Sequence, residues 1–225
     1  MDLGSIKGDE LRFLHQAFIT DSIVHALQMK DVDVRLYYID LPDRERLVKI
    51  VTNYLKKKFS EKKTENFQQR FKSIHQSNDR WGLRIDSIFT DCFKAGYKSV
   101  LVIGSRTPTV TTRMMSTALK MLKESDAVFG PTVEGRYYTI GMTGSYPINL
   151  ADFDWKSPRI YSEVAEAFSE KELSWSELEI WYTVETPDDL EMLARDVNQF
   201  RFEGDEETAR ETELVLHRLL AKLEN

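Results

Sequence analysis

Residues 99–141 read SVLVIGSRTPTVTTRMMSTALKMLKESDAVFGPTVEGRYYTIG. The apolar run 100–103 ends in Gly104-Ser105. Between helical patterns, such a run predicts a parallel strand buried on both faces. Pro108 and three threonines follow, and then Met115, Ala118, Leu119 and Leu122 recur at the spacing of one helical face. Residues 127–129 predict a second strand, closed by Gly130-Pro131, and 137–142 a third. Two loops therefore leave strand ends, at 104–108 and 130–138. Ligands of open α/β sheets sit outside the carboxyl ends of parallel strands, so these loops are where a site is expected.

Outward from this stretch, strands and helices alternate. The first eight residues are polar and carry no strand pattern. Phe13, Ala17, Thr20, Val24 and Leu27 step by three and four, which predicts a helix containing His15 and His25. A lone histidine on a helix reads as a surface or core-edge residue rather than a catalytic one. A strand at 34–39 stops at Leu41-Pro42-Asp43, and Leu47, Ile50, Val51 and Tyr54 mark the next helix. Lys56, Lys57, Lys58, Lys62 and Lys63 cluster beyond it. The end of a helix favours cations there, and phosphate or nucleic-acid contact is the competing reading. A strand at 71–75 precedes a helix striped by Ile85, Ile88, Phe89 and Cys92, with Gly96 as its stop.

Beyond the central stretch, 143–147 reads as a loop. Ser157 as cap and Pro158 behind it predict a helix carrying Tyr161, Val164, Ala165 and Phe168. Residues 178–184 predict the last strand. Thr186, Pro187, Asp188 and Asp189 form a helix start. After a polar break at 201–205, Leu216, Leu219, Leu220 and Leu223 stripe a final amphipathic helix. This alternation predicts an α/β fold, a mostly parallel sheet with helices on both faces. The expected organisation is one domain over 1–200 and a C-terminal amphipathic helix over 201–225.

Composition narrows the function classes. The chain has 225 residues, 41% of them hydrophobic, enough for one domain with a sizeable core. A net charge of −6 argues against a general nucleic-acid binder. Cys92 is the single cysteine, which excludes an internal disulfide, and its place in an apolar stripe predicts a buried thiol. No apolar run reaches the ~18 residues of a membrane span, and no signal-peptide pattern opens the sequence. A soluble cytoplasmic protein is expected. No G-x-S-x-G occurs, and the four histidines allow no Ser-His-Asp set to be assigned. His75 and His217 have no metal-ligand spacing with a second His or Cys.

The two loops carry a resemblance. Gly104-Ser105-Arg106-Thr107-Pro108 and Gly130-Pro131-Thr132-Val133-Glu134-Gly135-Arg136-Tyr137-Tyr138 resemble the GSDCP and GPxxDGGYYLIG elements of a GT-A-like glycosyltransferase-related family. That family, in the nucleotide-diphospho-sugar transferase superfamily, occurs in radical-SAM, selenoprotein and arsenosugar gene clusters. Gln76, Gly82 and Arg84 match its Q-x-x-x-D-L-G-x-R segment with a small offset around Trp81. Trp155 with Ser157-Pro158 matches its W-S-T-P element, and Glu185-Thr186-Pro187-Asp188-Asp189-Leu190 its D-T-P-E-D-L. The resemblance spans about residues 11–196. It lacks the family's opening strand and its K-T-R nucleotide loop, of which Gly4-Ser5-Ile6-Lys7-Gly8 holds the place. Losing a central strand leaves two strand edges to be covered. Another chain, a rearranged strand order or a narrower sheet would do so.

The resemblance implies a nucleotide or other phosphate-bearing ligand. In such transferases carboxylates hold Mg²⁺ or Mn²⁺ against a diphosphate. Of three acidic family positions this chain offers Glu134 and Glu185, with Arg106 at the third and Arg136 in place of a glycine. The candidate ligand-binding residues are therefore Arg106, Glu134, Arg136, Glu185, Arg84, Gly104 and Ser105, and no residue is assigned a catalytic role. No cofactor is implied, and Mg²⁺ or Mn²⁺ enters only if Glu134 and Glu185 form a surviving site. Two readings stand. In one, catalysis is lost and the protein binds or assembles, as a homo-oligomer or with a partner chain. In the other, Arg106 replaces the metal in a glycosyl- or nucleotidyl-transferase, since a guanidinium binds phosphate bidentately.

Overall fold

The helical stripe predicted near the N-terminus forms α1, Gly8–Gln28, with Asp9 and Glu10 in its first turn, where the helix dipole favours acids. The computed structural model that contains it describes residues 1–144 and 148–223, with side chains through residue 219. Part of the expected 143–147 loop, and the side chains of Leu220 and Leu223, lie outside the described residues. The chain divides into two compact units.

One unit combines Met1–His75, Ser105–Thr112 and Thr183–Asn225. After α1 come β1 (Val34–Tyr38), α2 (Leu41–Lys58, with Pro42 in its first turn), α3 (Glu61–Arg70) and β2 (Phe71–His75). β1 and β2 pair in parallel, Val34 opposite Phe71 and Tyr38 opposite His75. Ile23, Val24 and Leu27 of α1 pack with Leu47, Val51 and Leu55 of α2 and Phe67 of α3. The lysine cluster hides a helix that its composition does not announce: α3 is strongly polar and buries Thr64 and Phe67. Lys63 covers the faces of Phe59 and Phe67. Arg70 closes the unit's backbone accounting, donating to the carbonyls of Leu27, Met29 and Val32 just where α1 ends.

The same unit holds α7 (Pro187–Phe202) and α8 (Arg210–Leu223). The predicted start of α7 is realised as a capping box. Thr186 Oγ1 accepts from Asp189 N, and the Asp189 carboxylate accepts from Thr186 N. α8 packs on α1. Asp21 of α1, fully buried, accepts the N–H groups of Glu211 and Thr212 at 2.9 Å each and so caps the first turn of α8.

The other unit combines Gln76–Gly104 and Arg113–Tyr182. It contains α4 (Trp81–Lys94), β3 (Ser99–Ile103), most of α5 (Thr112–Met121), β4 (Ala127–Pro131), β5 (Tyr137–Thr143), a 3-10 turn at Leu150–Asp152, α6 (Ile160–Glu170) and β6 (Trp175–Glu177). The strand order is β3-β5-β4-β6. β5 runs antiparallel to β3 and β4, while β4 and β6 are parallel. Three of the four strands therefore point one way, with β5 reversed between two of them. The apolar run 100–103 is thus half-buried beside an antiparallel neighbour, where its composition predicted a parallel strand buried on both faces. Phe89, Phe129, Ile140, Leu150, Val164 and Phe168 are among the side chains of this core.

Two local expectations shift. The last strand is Trp175–Glu177 rather than 178–184. β4 ends in a register shift at Gly130/Pro131, and Pro131 has no N–H to continue a ladder. Downstream, contact with β4 falls to Leu178 N donating to Phe129 O, Trp181 N donating to Pro131 O, and an isolated bridge of Trp181 to Thr132. α6 begins at Ile160, because Ser157 Oγ accepts from Arg159 N in a tight turn instead of capping a helix at Pro158. Among the described residues the strands form two sheets, of two and four strands. Among the described strands, β1 has β2 as its neighbour and β3 has β5, so each keeps one side without a strand partner. No helix among the described residues is long and apolar enough to cross a membrane.

Candidate functional site

Gly104 follows β3, and its N–H donates to Tyr138 O at 2.9 Å. The chain then passes into the segment 105–112, where Thr107 and Thr109 are fully buried and Ser105 is exposed. This seats Arg106 firmly. Its carbonyl accepts from Val184 N at 2.9 Å, and its guanidinium meets Glu185 Oε1 at 3.0 Å. Glu185 is fixed from several sides. Its N–H donates to Asp189 of the capping box, its carbonyl accepts from Asp2 N, and Thr183 Oγ1 donates to its Oε1. Both members of the ion pair are a little over one-third exposed, so solvent reaches them.

Ser105 has a partner that sequence reasoning set aside. His15 Nε2 lies 3.0 Å from Ser105 Oγ, across 90 residues of sequence. Burial lowers the His15 pKa, and the Arg106 charge lowers it further, against opposing contributions from Ser105 and Asp43. A neutral imidazole therefore stands beside a solvent-facing hydroxyl, next to a permanent cation. Nothing local in the sequence announces this, because the two residues meet only when α1 packs near the loop.

The remaining candidates belong to the other unit. Arg84, on α4, stacks its guanidinium 4.8 Å from the centroid of the exposed Trp81 ring, and its carbonyl accepts from Gln76 Nε2 at 2.7 Å. Glu134 and Arg136 sit in the β4–β5 turn. Arg136 N donates to Thr132 Oγ1, and Thr132 N donates to Arg136 O. Gly135 between them has φ +72°, and a Cβ there would come within 3.0 Å of Pro158 O, which explains glycine at that position. The structure thus brings Arg106, Glu185, Ser105 and His15 together, while Arg84, Gly104, Glu134 and Arg136 lie in the second unit.

A divalent cation requires several oxygen ligands. Here the carboxylate at hand, Glu185, is bound by a guanidinium that repels cations. Among the described residues no group of three or more His, Cys, Asp or Glu side chains gathers to hold a metal. The residues around Arg106 do not fit Mg²⁺ or Mn²⁺. They fit an anion, which Arg106 and the Ser105 hydroxyl could bind with charge-assisted and neutral hydrogen bonds.

Comparison with known proteins agrees with the fold. A family described as an uncharacterized protein conserved in bacteria (DUF2064) matches residues 40–157, a little over half of the chain. A crystal structure of a candidate nucleotide-diphospho-sugar transferase from Desulfovibrio desulfuricans G20 is 22% identical, with a TM-score of 0.77 over 97% of this chain and 87% of that one. The structure of CMP:2-keto-3-deoxy-manno-octonic acid synthetase complexed with CTP is 14% identical, with a TM-score of 0.53 over 81% of this chain and 88% of that one. At these identities the likeness is one of fold, that of nucleotide-diphospho-sugar transferases. No curated protein matches the chain.

Proposed function

The chain belongs to the DUF2064 family, and we propose that it is a divergent, catalytically silent member of the nucleotide-sugar transferase lineage that binds a phosphate-bearing small molecule through Arg106. The carrying observation is the 3.0 Å pair of Arg106 with Glu185. A guanidinium occupies the position where the resembling family places an acid. Charge that a cation would neutralise in an active transferase is met here by the protein itself. The fold neighbour complexed with CTP supports a nucleotide as the ligand's carrier. Ser105 extends the phosphate contact, and Arg84, Gly104, Glu134 and Arg136 are assigned to ligand binding within the other unit. The protein acts in the cytoplasm, as a homo-oligomer or with a partner chain.

The second reading, an active metal-independent glycosyl- or nucleotidyl-transferase, rests on the same guanidinium, which would stabilise charge developing on a leaving diphosphate. One experiment separates the readings. Calorimetric titration with UDP, GDP, CDP and their sugars, with Mn²⁺ and with a chelator, is expected to show binding that chelation leaves unchanged. Product analysis of the same mixtures is expected to show no turnover. Chelator-sensitive binding would overturn the Arg106 reading, and sugar transfer or hydrolysis without metal would favour the active enzyme.

A further inference from the structure

The hydrogen bond between His15 Nε2 and Ser105 Oγ, at 3.0 Å, joins α1 to the loop that carries Arg106. The ring is half-buried and stands edge-on to Phe18 of its own helix. The charged groups that act on it are Arg106 from the loop, Asp43 from α2 and the N-terminal ammonium. Ser105, by contrast, is exposed. A titratable ring is thus wired through a hydroxyl to the surface where an anion would meet Arg106.

We propose that His15, Ser105 and Arg106 form a proton-coupled binding site for a terminal phosphate group, in which His15 takes up one proton as the anion binds. This rests on the reading of Arg106 as the phosphate-binding residue. The coupling follows from the donor inventory. A neutral imidazole can present Nε2 as an acceptor, and the Ser105 hydrogen then points at the ring while its lone pairs face solvent. Protonated, the ring carries hydrogen on both nitrogens and has only donors. Nε2–H must then donate to Oγ, and the Ser105 hydrogen turns outward, available to the anion. The same proton adds a positive charge beside Arg106.

The ligand class follows from charge. Glu185 already occupies Arg106. A terminal phosphate carries about −1.5 to −2 charge near pH 7 and three acceptor oxygens, so it competes with a carboxylate better than a bridging phosphodiester of single charge. An anion of that charge also favours the imidazolium and so draws the proton onto His15. No bond between heavy atoms is made or broken in this process; one proton leaves a solvent or buffer acid and forms the N–H bond at His15 Nε2.

The test uses the full chain and inorganic sulfate, a dianion whose own charge does not change between about pH 5 and pH 8, the range in which histidine titrates. NMR follows the ring protons of His15 in the unmodified protein. Saturating sulfate is expected to raise its midpoint by about one pH unit, which by linkage means sulfate binds about tenfold more tightly to the protonated form. Calorimetry with sulfate over the same pH range, and with inorganic phosphate at one pH, then compares His15→Gln, Ser105→Ala and Arg106→Gln. His15→Gln is expected to abolish the pH dependence of sulfate affinity, Ser105→Ala to weaken binding severalfold, and Arg106→Gln to remove it. A His15 midpoint that sulfate does not move, with binding still lost in Arg106→Gln, overturns the proton coupling and leaves the Arg106 reading standing. Phosphate binding that survives Arg106→Gln overturns both.

Discussion

The guanidinium of Arg106 lies 3.0 Å from Oε1 of Glu185, and the two residues are further tied because Val184 N donates to Arg106 O. With both side chains a little over one-third exposed, such a pair is worth at most about 1 kcal/mol of stability. Its consequence is therefore for ligands. Glu185→Gln is expected to raise phosphate affinity severalfold by removing the competing carboxylate, with little change in melting temperature. Arg106→Asp is expected to weaken phosphate binding at least tenfold, since charge-assisted bonds contribute roughly 1.5–3 kcal/mol each, and to create measurable Mn²⁺ affinity. Calorimetry checks both. Tight Mn²⁺ binding by the unmodified protein, lost on Glu185→Gln, would contradict the assignment of Glu185 as a counter-ion.

Asp21 makes stability depend on pH. Burial pushes its pKa up to about 6, against the opposing hydrogen bonds of Thr212 and Glu211 and the influence of His25. A carboxyl whose folded pKa is raised binds its proton more tightly in the folded state. Its contribution is fully present below about pH 3.9, the unfolded value, and is lost as pH rises through about 6. Melting temperature is expected to fall over that window, and Asp21→Asn to flatten the slope. Asp21→Ala leaves the buried N–H of Thr212 and the half-buried N–H of Glu211 without their acceptor, at about 1–3 kcal/mol for the buried group. A denaturant titration at fixed pH measures that loss.

Gly82 admits no larger residue. A Cβ there would lie 2.7 Å from Leu150 O and 2.7 Å from Trp155 Nε1, the acceptor and donor of a 2.8 Å hydrogen bond. Gly82→Ala is expected to destabilise the protein by about 1–3 kcal/mol, the usual cost of overpacking. Tryptophan fluorescence should report the disturbance at Trp155 together with the lowered unfolding midpoint.

β1 and β3 each lack a strand neighbour on one side among the described strands. β3 is apolar from Val100 to Ile103 and bears no charged residue to discourage edge pairing. Association is the expected remedy. Light scattering at micromolar concentration should report a dimer or larger, and Val102→Lys should shift it toward monomer. A monomer at all concentrations would show that these edges are covered in another way.

Local chemistry alone determined much of this protein. The strands at 34–38, 71–75, 99–103, 127–131 and 137–143 stand where apolar runs and turn residues predict them. The start of α7 was legible because a capping box closes over four consecutive residues, Thr186 to Asp189. The tertiary structure decided what depends on partners distant in sequence. β6 pairs with Ala127–Phe129, ahead of the irregular end of β4 at Pro131, so the strand expected over 178–184 lies at 175–177. α3 is too polar to show a stripe, and it holds its place through Phe67 and through Arg70 at the end of α1. Arg106 and Glu185 were both visible as out-of-pattern members of one candidate site, but the 3.0 Å geometry of their pair, and His15 as the partner of Ser105, required the fold. The physical reason is range. Periodicity and capping act over one or two turns of chain, whereas an ion pair or a serine–histidine contact acts over three ångströms of space, and only packing brings such residues together.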